Sequence, residues 1–233
     1  MEADVIIPCW IVDKGLLSLT KRAISTLRDT ADVNLIIIDN GSTMGVEYLE
    51  EQANVYIRNN KNLGYVKAVN QGFQRATNNY IVVANNDIMF LEGWLEPLAE
   101  VLDLVPDCRV ILPCINQERL GQDGLKEEDL LGSCFMIKQS TLDEIGLLDE
   151  QFINRCSDAD YAYRLWEKMY SICSTPESRC YHNECSSLRR LIKHEDDKEQ
   201  YKDNLKYILK WRDHPRFGPM LRETLGNELV NRL

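Results

Sequence analysis

Short β-branched runs alternate with stretches of helical spacing through the first hundred residues of the chain. Val5-Ile-Ile7, Leu35-Ile-Ile-Ile38, Val55-Tyr-Ile57 and Tyr80-Ile-Val-Val83 predict four strands. Leu16/Leu19/Ala23/Leu27, Val46/Leu49/Ala53, Val66/Val69/Phe73/Ala76 and Trp94/Leu98/Val101/Leu102 fall on helical faces between and after them. That alternation predicts βαβ units and an α/β fold, a Rossmann-like, mostly parallel central sheet flanked by helices.

Beyond Arg109 the pattern changes to an apolar strand, a polar stretch over 116–129, a second apolar strand over 134–137, and then helices. The polar stretch is long for a connector in a compact domain, so it is expected to be either a disordered or a functional loop. After His182 the chain turns charged and helical, with Tyr201/Leu205/Ile208 and Leu221/Leu225/Leu229 spaced around Pro215, Gly218 and Pro219. An appended helical pair is the expectation there.

The length of 233 residues suits one α/β domain with a small helical appendage. A formal net charge of -10 opposes a phosphate backbone, which excludes nucleic acid as the expected partner. No apolar run approaches the roughly 20 residues of a membrane span, and Met1-Glu2-Ala3-Asp4 lacks a basic leader, so a cytoplasmic protein is expected. The eight cysteines are irregularly spaced, with Cys114 and Cys134 inside apolar runs, and read as buried thiols.

Ligands gather at strand ends in open α/β sheets, which directs attention to three polar clusters. Asp39 in Asp39-Asn40-Gly41-Ser42 either supports a turn or accepts the imide N–H of a uracil or thymine. The stretch Asn59-Asn-Lys-Asn-Leu-Gly64 either caps the next helix, through Asn62, or turns that helix's free N–H groups toward a diphosphate. Asp87, after Asn85-Asn86, either forms a turn or holds a hard divalent ion between two phosphates. Farther on, Ser157 and Asp160 fit a capping box, leaving Asp158 to complement the helix dipole or to act as a general base. Cys173, Cys180, His182 and Cys185 lack the paired spacing of structural zinc sites.

In order, Val5-Ile-Ile-Pro-Cys-Trp10, Ile36-Ile-Ile-Asp-Asn-Gly-Ser42, Asn60-Lys-Asn-Leu-Gly-Tyr-Val-Lys-Ala-Val-Asn-Gln-Gly72 and Val83-Ala-Asn-Asn-Asp87 are followed by Leu131-Gly-Ser-Cys-Phe-Met-Ile137, Gly146-Leu-Leu-Asp-Glu-Gln-Phe152, Ser157-Asp-Ala-Asp160 and Tyr181-His-Asn-Glu-Cys-Ser-Ser187. This series resembles the family 2 glycosyltransferases of the GT-A fold, particularly the rhamnosyltransferase-like branch. The resemblance implies a GT-A domain over 1–187 with a helical extension over 188–233 packed on it. It implies that Pro8, Asp39, Asn62, Gly64, Asn85 and Asn86 line the donor pocket, with Asp39 on the nucleobase and Asn85 on a ribose hydroxyl. Asp87 would be the metal-binding last acid of a DxD-type motif, and His182 a second metal ligand. Asp158 would be the catalytic base, and Asp160 would orient the acceptor or hold the helix start. Two positions depart from the family pattern: Asn85-Asn86-Asp87 keeps one carboxylate, and Ser157 replaces the acid that usually precedes the base.

The implied reaction is inverting transfer of a sugar from a nucleotide-diphosphate donor, UDP- or dTDP-linked by the reading of Asp39, to a hydroxyl of a glycan or small acceptor. The mixed Asp/His site favours Mn2+ over Mg2+. A nucleotidyltransferase would need a Gly-rich basic loop after the first strand, whereas 8–15 holds one glycine and one lysine. A catalytically silent sugar-nucleotide or glycan-binding module is the rival from another class.

Overall fold

Successive residues of a strand face opposite sides of its sheet, and in this chain both sides are apolar. Val5, Ile7, Leu35, Ile37 and Val82 pack beneath one layer of helices, while Ile6, Ile36, Ile38, Ile81 and Val83 pack beneath another. The computed structural model describes residues 1–116, 126–127, 132–183 and 196–225. Strands β1 (Ala3–Cys9), β2 (Asn34–Asp39), β3 (Val55–Arg58) and β4 (Tyr80–Ala84) are parallel in the order β3-β2-β1-β4. Helices α1 (Lys14–Thr30), α2 (Val46–Gln52) and α3 (Tyr65–Phe73) connect them as the periodicity predicts.

The sheet continues through β8 (Cys134–Lys138), β6 (Cys108–Ile115), β9 (Ser171–His182) and β5 (Ile88–Phe90), with β7 (Lys126–Glu127) also paired to β9. Antiparallel pairings enter here, and only β6 and β9 run parallel. Helices α1, α2 and α4 (Glu96–Leu104) cover one face, and α3, α5 (Gln139–Ile145) and α6 (Ser157–Glu167) the other. The expected GT-A arrangement of a mostly parallel central sheet between helices is what forms.

Two strands escape the apolar pattern. β9 is largely polar and carries Pro176, and its register to β6 shifts twice, so its sequence shows no clean period. β5 is only three residues long. The C-terminal helices α7 (Asp196–Trp211) and α8 (Phe217–Leu225) meet α6 through an aromatic cluster in which Tyr163 stacks on Phe217 and meets Trp211 edge-on. The 187/188 boundary, Cys185, Leu229 and nearly all of the 116–129 loop fall outside the described residues.

Candidate active site

The register Cys9, Asp39, Arg58 sets the ends of three parallel strands in one row. Asp39 is fully buried there. One carboxylate oxygen accepts from Ser42 N at 2.8 Å, which is the turn reading, and the other accepts from the Tyr56 hydroxyl at 2.8 Å and pairs with Arg58. The side chain of Arg58 is 41% exposed, so the guanidinium rather than the carboxylate reaches the rim. Pro8 lies partly exposed beside this row, paired with Ile38.

The amide-rich loop satisfies itself. Asn40 Nδ2 donates to Asn62 Oδ1 (2.9 Å) and Gly64 O (3.1 Å), and Asn62 Oδ1 also accepts from Gly64 N (2.9 Å). Asn59 and Gln71 exchange hydrogen bonds of 2.8 and 2.9 Å. Gly41 at φ 84° admits the Lys61 backbone within 2.6 Å of where a Cβ would stand, and Gly64 at φ 88° likewise admits Ile153. Glycine is needed at both because a side chain would be strained and would collide.

The expected offer of free α3 N–H groups to a diphosphate is not met by the first two of them. Tyr65 N donates to Asn154 Oδ1 at 3.0 Å and Val66 N to Ile153 O at 3.1 Å. The helix start is docked on the 153–154 segment instead.

Asp87 and His182 do come together, because β5 pairs antiparallel with β9 and sets Ile88 opposite His182. His182 Nε2 lies 3.1 Å from Asp87 Oδ1, both side chains nearly buried. Asn116, at φ 58°, pins the His182 backbone by accepting from its N–H (2.8 Å) and donating to its carbonyl (3.2 Å). Asn86, buried, donates to Thr20 Oγ1 on α1 at 2.9 Å. Asn85 is half-buried, and its N–H donates to Ser133 O at 2.8 Å.

Among the described residues no group of three or more His, Cys, Asp or Glu is placed to hold a metal. Among the described residues Cys173 associates with Cys108 while Cys180 faces Cys134. One carboxylate oxygen and one imidazole nitrogen at 3.1 Å do fit a divalent ion that completes its shell with phosphate oxygens and water.

Asp158 stands in the first turn of α6. Its Oδ1 accepts from Ala159 N at 2.9 Å. Gly132 packs against it, and Tyr65 donates its hydroxyl to Gly132 O. Burial pushes the Asp158 carboxyl above the usual carboxylate range, an effect that backbone amides and the charge of Arg155 only partly offset. The capping box does not form: Cys156 is the N-cap, at φ 61°, without a side-chain cap, and Asp160 turns inward. Fully buried, Asp160 binds Trp211 Nε1 (2.9 Å), Lys210 Nζ (2.6 Å) and Arg164 Nε (3.1 Å). Two of these partners belong to α7, so the carboxylate is spent on joining α6 to the tail.

Roles that the sequence left unseen are those of Tyr56 and Arg58 under Asp39, Asn116 under His182, and Tyr65 beside Asp158. Only spatial pairing reveals them, since their partners lie far off in sequence.

Residues 4–110 match the family model described as glycosyl transferase family 2. Similar solved structures include a mannosyltransferase from Pyrobaculum calidifontis, solved with GDP-Man and Mn2+. The two share 16% identity at a TM-score of 0.68, over 94% of this chain and 68% of that one. S. aureus TarS 1-349 is similar at 15% identity and a TM-score of 0.59, over 93% of this chain and 74% of that one. No curated protein matches the sequence.

Proposed function

We propose that this chain, whose residues 4–110 match the family model described as glycosyl transferase family 2 and whose fold is of the GT-A kind, is an inverting, metal-dependent transferase using a nucleotide-diphosphate sugar. The observation that carries the reading is the junction of β4 and β8. There the Asn85–Ser133 backbone bond joins the strand end leading to Asp87 to the segment holding Gly132 against Asp158. In this reading a metal-type pair and a buried base stand on the two sides of that junction.

In this reading Asp87 and His182 hold Mn2+, or Mg2+, which when bound neutralises charge on the donor diphosphate. Asp158 takes the proton from an acceptor hydroxyl as that oxygen attacks the anomeric carbon, and the leaving diphosphate departs from the opposite face. Burial raises the proton affinity of Asp158, which suits a base that must remain ionised near neutral pH yet bind a proton in the transition state. Tyr65 holds Gly132 in place beside that carboxylate. Asn62 and Gly64 shape the donor loop, Pro8 borders it, and Asn85 is the amide left to meet a ribose hydroxyl. Asp160 is an anchor for the tail rather than an acceptor ligand.

The nucleobase end is assigned to Arg58, which Asp39 and Tyr56 fix at the rim. Uracil and thymine carry carbonyl oxygens that a guanidinium can address, whereas adenine has none. Uridine or thymidine diphosphate with Mn2+ is therefore expected to raise the melting temperature more than adenosine diphosphate, by the mass action of a ligand on the folded state. Arg58→Ala should abolish the difference. Equal shifts for every base with the native protein would remove this cluster from the site.

Asp87→Ala and His182→Ala should each weaken Mn2+-dependent binding of that diphosphate. Loss of a mere outer-shell partner costs about 10–100-fold in metal affinity, so loss of a ligand should cost at least as much. Calorimetric titration with and without Mn2+ reads this directly, and Cys180→Ser, which touches no proposed ligand, should bind as the native protein does. Unchanged affinity in both ligand variants would end the metal assignment.

The nucleotidyltransferase alternative fits the first loop poorly. Asp13 caps α1 by accepting from Gly15 N (2.8 Å) and Leu16 N (3.0 Å), so an anion already occupies the helix start that a triphosphate would use.

A further inference from the structure

The tail helix α7 carries a buried carboxylate that none of the roles above employs. Asp203 is 1% exposed, and its carboxylate accepts three consecutive backbone N–H groups. These come from Ile153 (3.0 Å), Asn154 (3.0 Å) and Arg155 (3.2 Å). Lys206 lies 3.4 Å away, balances the charge, and also donates to Gln151 O. Next door, Cys156 Sγ donates to Asn204 Oδ1 at 3.1 Å. A run of N–H groups converging on one anion is a strong and directional clasp, because each bond is charge-assisted.

What the clasp grips matters more than the clasp. Segment 153–155 leads straight into Cys156, whose left-handed backbone starts α6 and so sets the direction of Asp158. Its opposite edge receives the first two N–H groups of α3, from Tyr65 and Val66, and presses Ile153 against Gly64. Tyr65 in turn fixes Gly132, the residue packed against Asp158. The donor loop and the base therefore meet on one short segment, and that segment is held from behind by the tail.

We propose that Asp203 is a positioning residue for transfer, through which the C-terminal helices set the geometry of Asp158 relative to the donor loop. The inference rests on the reading of Asp158 as the base. It also gives the tail a task in the reaction, distinct from the packing of Tyr163 on Trp211 and Phe217.

The test compares Asp203→Asn and Asp203→Ala with Asp213→Asn, a change at an exposed acid of the same tail. Amide hydrogen exchange is followed by mass spectrometry alongside turnover, donor affinity and the pH profile. Without the charge, exchange in 153–155 and at Tyr65 and Val66 should quicken by about tenfold or more, because local opening governs it. Displacement of the base by about 1 Å should lower kcat by roughly 10²-fold with donor affinity changed far less, since misplacement acts on the reaction step. The acid limb of the pH profile should move as the surroundings of Asp158 loosen. Asp213→Asn should behave as the native protein.

Should the Ala variant unfold, the isosteric Asn variant carries the comparison. Faster exchange confined to α7, or kcat per folded molecule equal to the native value, would overturn the proposal. The exchange readout needs no substrate, so a native protein that turns over no nucleotide sugar would count against the transferase reading alone.

Discussion

Asp158→Asn is expected to lower sugar transfer by about 10²–10⁴-fold, the contribution typical of a positioned general base. Donor affinity should stay within a few-fold of the native value, because the proposed metal ligands and the Arg58 cluster are untouched. Stability should not fall. Burial raises the folded-state pKa of this carboxyl above its unfolded value, so the stabilising protonated form is fully present only below the unfolded pKa and is lost as pH rises through the folded one. At neutral pH the ionised carboxylate is thus a net cost, and a neutral amide that still accepts from Ala159 N relieves it. The same shift places the acid limb of the native pH–rate profile above the range of an exposed carboxylate, with activity lost as the pH falls through it. A variant with near-native turnover, or one whose defect is a lower melting temperature, would return Asp158 to the helix-dipole reading.

Asp160→Ala should do the reverse. Its carboxylate is fully buried among Arg164, Lys210 and Trp211, and removing one member of a buried ion pair strands the other charges at a cost of about 3–5 kcal/mol. Denaturant unfolding should register that loss, with the midpoint falling and the docking of α7 on α6 weakening first. Asp160→Asn, which keeps the acceptor for the Trp211 N–H, should lose less. If instead the Ala variant unfolds like the native protein but fails in transfer, the acid belongs to the acceptor site after all.

The two acids are neighbours in sequence and of one chemical type, and the sequence alone leaves each with both a structural and a chemical reading. What separates them is direction. The left-handed Cys156 starts α6 so that Asp158 meets Gly132 while Asp160 turns to a tail some fifty residues onward, a partner no local pattern announces. The parallel half of the sheet was legible because its strands are continuous apolar runs bounded by Asn and Gly, whereas the polar β9 was hidden although it delivers His182. The meeting of Asp87 with His182 followed from the family resemblance rather than from spacing, since 94 residues of chain lie between them. Asn86 and the α3 start looked like ligand groups because amides and helix ends suit phosphates. In the fold Asn86 donates to Thr20, and the first two N–H groups of α3 go to segment 153–154.

The most direct measurement is the release of nucleoside diphosphate from a panel of nucleotide sugars, with and without Mn2+, by the native protein and by Asp158→Asn. The native protein is expected to release diphosphate from one or a few donors, dependent on the ion, and the variant nearly none although it still binds the same donor. Donor binding without release by the native protein under any acceptor tried would make the chain a silent binding module, and equal release by both proteins would contradict Asp158 as the base.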